Sequence, residues 1–329
     1  SLAAQGRDIR ISDERVEGSR NFANKLWNAA RLVLANLDGY DATRGRRAPA
    51  ALADRWIKSR LAAAIRAVRE AVRRYRFNDA ASAVYQFVWH ELCDWYLELA
   101  KLPLYRPAAP AERLAAQHTL VTVLDTTLRL LHPFMPFITE EIWQRLPGTG
   151  ESIMIASYPR VGRGQVDAAA EGEMASVMGA VTAVRNIRGE MRIAPGVALA
   201  VTIRPAADAV PLFTTNAALI GALARCEARV DAEATRPPTS ALAVLGSAEL
   251  YVDLAGVVDL AAERARLDKE IRKVTETVGF IEGKLARPDF VERAPAEIVD
   301  KERQRLAEGQ ELRQKLEASL AWISASEGR

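Results

Sequence analysis

The 329 residues include 45 basic and 42 acidic side chains, a formal charge of +3, with 49% hydrophobic and 26% charged residues. This is the balance of a soluble globular chain with room for two or three domains, each with its own core. No run of eighteen apolar residues and no charged leader followed by an apolar stretch is present, so neither a membrane span nor a signal peptide is indicated and a cytoplasmic location is expected.

Cys93 and Cys226 are the only cysteines, and His90, His118 and His132 the only histidines. That count excludes a disulfide framework or a four-cysteine zinc site, and HELCD at 90–94 is not the HExxH metal motif. No metal site is expected. The near-neutral total hides an asymmetry: residues 1–150 carry 22 basic against 16 acidic side chains, while 151–258 and 259–329 are slightly acidic.

The chain opens at Ser1 without a methionine, from which a preceding portion is expected. From Asp13 to about Leu146 the spacing predicts four long helices and a short fifth. The first, about 13–37, has Phe22, Leu26, Ala29, Val33 and Leu37 on one helical face and Asn21, Lys25, Asn28 and Arg31 along its flank. LDGYDATRGRR, at 37–47, reads as a turn. The second helix carries an apolar stripe of Ile57, Leu61, Ile65, Val68, Val72 and Tyr75. A basic stripe of Arg55, Lys58, Arg66, Arg69, Arg73 and Arg76 follows the same period on the opposite side.

Asn78 or Asp79 is expected to cap a third helix buried through Val84, Val88, Leu92, Trp95 and Leu99, which KLPLYRPAAP ends. A fourth spans about 111–131, and beyond HPFMPF Thr139 is expected to cap the fifth, with Glu140 and Glu141 in its first turn. Helices joined by such short connections predict an antiparallel bundle over 1–150. Residues 151–258 read as a small α/β unit, with strands at 152–159, 197–205, 226–231 and 247–254 and helices near 167–188 and 209–224.

From Asp259 to 329 the pattern is that of an antiparallel coiled-coil hairpin. Leu260, Arg264, Leu267, Ile271, Val274, Val278, Ile281 and Leu285 form a heptad seam. Pro288 and Pro295 break it, and Ile298, Leu306, Leu312, Leu316, Leu320 and Ile323 supply a less regular return. The fold class is therefore mainly α: helical bundle, small α/β unit, coiled-coil arm.

No glycine-rich phosphate loop, nucleophile elbow or acid–base carboxylate pair is found, so no catalytic residue is assigned. Two surfaces remain. Across residues 55–76 eight cations face Glu70 alone, a row suited to phosphates or simply a solvated face. At the hairpin tip Phe290 lies among Lys284, Arg287 and Arg293, either to stack on a nucleobase or to plug the open end of the hairpin. Trp27, Trp56, Trp89, Trp95 and Trp143 read as core.

GRDI (6–9), RNFANKLWNAAR (20–31), DRWIKSRL (54–61), CDWYLELAK (93–101), LLHPFMPFITEEIWQ (130–144) and RNIRGEMRIAPG (185–196) occur in this order, and together with the closing segment they resemble valyl-tRNA synthetases over essentially the whole chain. The resemblance implies a class I synthetase cut after its catalytic domain, whose HIGH-type and KMSKS-type signatures are absent here. ATP and Mg would belong to the full-length enzyme, and this fragment would have no cofactor.

The partner implied is valine tRNA, held by a monomeric protein at the anticodon by the bundle and at the elbow by the arm. By position the family's anticodon contacts fall on Arg15 and Leu32, and Asn21, Lys25, Asn28 and Arg31 lie alongside. Where the family often has phenylalanine this chain has Leu32, which removes an aromatic stack. RNIRGEMRIAPG is either an RNA contact or, as its composition favours, a helix end followed by a turn. The leucyl and isoleucyl synthetases share the bundle, and a non-catalytic scaffold is the alternative from another class.

Overall fold

The computed structural model describes residues 12–107, 109–162, 164–257, 260–287, 290 and 296–327. The GRDI stretch, Pro288, Arg293 and Pro295 lie outside them, as does the side chain of Arg15. The chain divides into two compact units, Ser1–Gly179 and Ala180–Arg329.

The first unit is helical: α1 (Asp13–Ala35), α2 (Ala42–Arg47), α3 (Leu52–Arg73), α4 (Phe77–Gln86), a π-helical segment (Phe87–Tyr96), α5 (Leu97–Tyr105), α6 (Pro110–Leu131), α7 (Pro136–Trp143) and the start of α8 (Ala168–Glu190). The apolar stripes meet as their spacing requires except at the end of α3, where Val72 and Tyr75, read as part of the stripe, are exposed. Leu26, Ile57, Val68, Val88, Leu124 and Leu128 are essentially inaccessible to solvent.

Several local details differ from expectation. The stretch read as a turn contains α2, capped by the Asp41 carboxylate, which accepts the backbone N–H groups of Thr43 and Arg44. Gly45 lets α2 sit directly on α6, since a Cβ there would lie 2.8 Å from the Cβ of His118. Asn78 and Asp79 do not cap α4; the helix begins at Phe77 and its entry has no side-chain cap. The fifth helix starts at Pro136 with its fixed φ, so Glu140 and Glu141 fall outside the first turn. Thr139 is buried and donates back to the Met135 carbonyl, while Glu140 accepts from Ser152.

The π-helical segment explains a further difference. Its wider turns bond i to i+5 and take one more residue to return to the core. Tyr96, rather than Trp95, therefore follows Leu92 inward. The Tyr96 hydroxyl donates to Asp54 at 2.5 Å, and the other Asp54 oxygen accepts the Ala51 N–H at the start of α3. Burial, with the Asp54 charge beside it, pushes the Tyr96 phenol well above its usual range.

In the second unit a four-stranded mixed sheet has the order β2-β1-β4-β3, with β1 Leu199–Pro205, β2 Cys226–Val230, β3 Ser240–Leu245 and β4 Ala248–Asp253. β1 and β2 run parallel, as their connection through α9 (Val210–Ala224) requires, and β4 is antiparallel to both β1 and β3. Residues 207–224 are apolar enough, at a mean hydropathy of 1.3, to satisfy a length-and-composition test for a membrane span. Here they contain α9, which packs on β1 and β2 through buried Phe213, Ile220 and Ala224. The expected strand at 152–159 is instead a single 3-10 turn, Ile153–Ile155, and β3 was not anticipated.

RNIRGEMRIAPG is a helix end and turn. α8 stops at Glu190, Arg192 adopts φ 49°, and the buried Arg188 guanidinium donates to the carbonyls of Ala194, Val197 and Arg225.

The arm pairs α10 (Leu260–Leu285) with α11 (Ala296–Glu327). On α10 Leu267, Val278 and Ile281 are buried as the heptad predicts. On α11 Leu306, Leu316 and Leu320 turn inward as expected, but so do Val299, Glu302, Gly309 and Arg313, while Ile298 and Leu312 are exposed and the Ile323 side chain lies outside the described residues. Two inward positions are special. Glu302 is held below the usual carboxylate range by hydrogen bonding to Lys284. Gly309 faces Val278 so closely that a Cβ would sit 2.9 Å from Cγ2.

Gly309→Ala should lower arm stability by about 1 kcal/mol, because overpacking against a stiff β-branched side chain exceeds the gain in helix propensity. Thermal melts should show a smaller loss in a Val278→Ala background; equal losses in both backgrounds would contradict the contact.

A second outcome concerns pH. The Tyr40 hydroxyl lies 3.0 Å from His118 Nδ1, and burial, then Lys58 and Arg46, depress the imidazole pKa below its ordinary value. Between that depressed value and about 6.5 the unfolded chain binds the extra proton. Stability should therefore fall as pH drops through this window, and denaturant titrations of His118→Gln should show a flatter profile.

Candidate nucleic-acid interface

At about 100° per residue, Asn21, Lys25, Asn28 and Leu32 fall within one sector of α1, about 60° wide, with Arg31 to one side. Phe22 faces inward and fixes the helix's rotation: it stacks on Tyr85 at 4.9 Å, and Tyr85 stacks on Trp89 at 5.6 Å. Asn21, Asn28 and Arg31 are exposed and Leu32 is half-buried. Its carbonyl accepts from the Asn36 amide, which also reaches the Tyr105 hydroxyl.

Lys25 has more structural employment than its neighbours. Its ammonium lies 2.6 Å from Asp94 and 3.7 Å from the centroid of the Trp89 ring. The cation that spacing places in the polar row thus also ties α1 to the π-helical segment. Beside it, burial pushes the Cys93 thiol up to about 11 even though Lys25 opposes the shift. Such a thiol stays protonated and unreactive near neutrality.

The basic stripe of α3 is not the continuous row that its period suggests. Arg55 grips Asp167 through Nε and Nη2, both at 2.8 Å. Asp167 also accepts from the Ala170 N–H in the first turn of α8, and these bonds lower its pKa, the backbone bond most strongly. Ser59 accepts the Asp167 N–H and donates to Glu171, while Arg60 forks to Glu91 and Glu171. Ser59 and Ala62 lie in the angular sector of the stripe and are buried. The start of α8 therefore crosses α3 where the stripe has no cation.

On one side of this crossing are Arg55 and half-buried Lys58; on the other are Arg66, Arg69, Arg73 and Arg76. Arg73 pairs with Glu70 at 2.6 Å, and Arg76 with Asp79 at 3.3 Å. These are exposed pairs that water and salt readily loosen. Arg66, Arg69 and Arg73 line one wall of a groove of about 960 Å³ whose other wall is Tyr158, Arg160, Val161 and Gly162. Sequence reasoning assigned no role to that second wall. Its signal was YPRVGRG at 158–164, cations interspersed with glycines in the sequence.

At the arm tip Lys284 lies 3.1 Å from Glu302 and 4.7 Å from the centroid of Phe290. Phe290 is half-buried, its N–H donates to the Arg287 carbonyl, and Arg287 is exposed. The tip thus presents one aromatic face already seated beside a cation. The three histidines have structural partners, His90 with Asp94, His118 with Tyr40 and His132 with Thr139. Among the described residues no group of three or more His, Cys, Asp or Glu side chains could hold a metal ion.

Residues 54–203 match the anticodon-binding domain of tRNA ligase, and residues 259–324 match the valyl tRNA synthetase tRNA binding arm. The valine–tRNA ligase of Geobacter sulfurreducens is 46% identical over 331 residues, covering 98% of this chain and 37% of the relative. Those of Syntrophotalea carbinolica and Symbiobacterium thermophilum are 41% and 40% identical, each over 99% of the chain. The chain spans little more than a third of the length of these curated relatives. With both matched segments in order and identity running through the whole chain, it belongs to the valyl-tRNA synthetase family, in which it corresponds to the C-terminal part with the anticodon-binding domain and the tRNA-binding arm.

Proposed function

We propose that this chain is the tRNA-gripping part of a cytoplasmic, monomeric valine–tRNA ligase. In this reading ATP and Mg serve aminoacylation in a catalytic portion outside these residues, and the fragment itself holds no cofactor. Residues 1–150 act at the anticodon, 151–258 contribute the small α/β portion, and 259–329 reach the outer corner of the tRNA.

The observation that carries the reading is the exposed row on α1. Asn21 and Asn28 present amides of the kind that read base edges, and Arg31 presents a cation for phosphate, on a helix whose rotation is fixed by the Phe22–Tyr85–Trp89 stack. Arg15, nearer the start of the same helix, adds a further cation by residue type. Leu32, half-buried beside the row, offers an apolar contact to a base without aromatic stacking. At the arm, Phe290 is the stacking surface, with Lys284, Arg287 and, by sequence position, Arg293 for the backbone.

Fluorescence anisotropy of the chain with valine tRNA at two salt concentrations, beside the same tRNA with its anticodon replaced, tests the reading. Binding should weaken as salt rises and fall when the anticodon is changed. Leu32→Phe should tighten cognate binding about fivefold or more, as a stacking contribution of about 1 kcal/mol or above implies. Unchanged or weaker affinity would remove Leu32 from beneath a base. Phe290→Ala should weaken binding by a similar factor with helicity preserved by circular dichroism, whereas loss of helicity would make Phe290 a plug of the hairpin end.

A further inference from the structure

The groove between α3 and residues 158–162 is built rather than incidental. Its second wall is fastened to the bundle at three points. The Arg129 guanidinium donates to the Ser157 carbonyl at 2.8 Å, the Tyr158 hydroxyl to the Leu130 carbonyl at 3.4 Å, and the Arg69 guanidinium across the groove to the Pro159 carbonyl at 3.2 Å. The segment is thereby held with Arg160 facing the arginines of α3. Four guanidinium groups, those of Arg66, Arg69, Arg73 and Arg160, line the space with a single carboxylate, Glu70. Glu70 is itself taken by Arg73 and Arg74, at 2.6 and 2.5 Å.

Such an arrangement concentrates positive charge and is suited to phosphate. The spread of the cations decides between one phosphate and several. Arg66 and Arg73 are two helical turns apart, about 10 Å along the axis. A lone phosphate is held by donors converging on a point; donors strung along a groove follow a strand. Just past Arg73 the chain leaves α3 through Tyr75 in a left-handed conformation, φ 58°, which leaves the Tyr75 and Phe77 rings exposed and edge-on at 6.4 Å. Flat apolar rings at the end of a row of cations are what a polynucleotide can use and a free anion cannot.

We infer that the groove of Arg66, Arg69, Arg73 and Arg160 is a backbone-binding site for RNA, one that holds consecutive phosphates of the tRNA already proposed as the partner. It adds Arg160 and the 158–162 wall to the interface. It rests on the tRNA-binding reading and fixes the register of the strand without reading its sequence.

The test is the salt dependence of valine tRNA binding by the whole chain, with Arg66→Gln/Arg160→Gln beside the wild type. These two side chains are exposed and lie outside the bonds that fasten the wall. The slope of log affinity against log salt should fall by about one for each phosphate left without its cation, about two in all, with the melting temperature unchanged. Arg66→Lys/Arg160→Lys should restore most of it, since a lysine still neutralises a phosphate.

A glutamine variant that keeps the wild-type slope would overturn the groove and leave the tRNA reading standing. Absence of salt-dependent binding by the wild type would overturn both. Titration with inorganic phosphate separates the sources: saturable binding that the glutamine variant abolishes, with the tRNA slope unmoved, would make the groove a small-anion site and overturn the proposal.

Discussion

Much of the first unit is organised around the Arg60 guanidinium. It is two-thirds buried, and a charge in that position is tolerable only when fully paired. Arg60 meets the requirement by donating to both oxygens of Glu91 on the π-helical segment and to Glu171 on α8. One side chain thus joins three elements distant in sequence, and Glu91, through its hydrogen bonds, is the main reason the guanidinium is held above its already high pKa. The crossing of α8 over α3 follows from this, as do the burial of Ser59 and Ala62 and the division of the basic stripe into two parts. The groove survives because α8 begins at Ala168, beyond residues 158–162, and leaves the C-terminal half of α3 uncovered.

The helices of the bundle were legible because apolar spacing is a strong signal over twenty residues, and the inward face of α1 came out as read. What the sequence hid was mostly local competition. Thr139 could cap a helix by type, but Pro136 starts that helix earlier, and the hydroxyl turned instead to the Met135 carbonyl. SIMIASYP alternates like a strand but finds no partner strand among the described residues, and it closes into a 3-10 turn at Ile153–Ile155. The π-helical shift that buries Tyr96 has no period of its own to read, and the Asp54 carboxylate that receives the Tyr96 hydroxyl lies 42 residues away in the chain. β3 was missed because TSALAVLG runs without the aromatic and β-branched density that marked β4.

The candidate interface divides along the same line. Residue type and period placed the polar row of α1 on one flank, but they could not reveal that Lys25 is shared with Asp94 and Trp89. They showed a row of cations on α3 without the carboxylates that meet Arg55 and Arg60, because Asp167, Glu91 and Glu171 lie 31 to 112 residues away in the chain. Contacts of that range are a property of the fold. Arg160 belongs to the same class: its position opposite α3 depends on three backbone carbonyls being held by Arg129, Tyr158 and Arg69.

The arm's return helix escaped an apolar count because its inward positions include Glu302, Gly309 and Arg313. These residues give the pairing an alignment. Glu302 meets Lys284 only when Gly309 is opposite Val278, and sliding one helix by a heptad would leave the carboxylate among apolar side chains and bring a larger residue against Val278. A seam of leucines alone would tolerate such a slip. The hairpin is in that sense a ruler: about 40 Å of helix in α10, with the zero mark for the return helix set by the Lys284–Glu302 ion pair and by the side chain that Gly309 lacks.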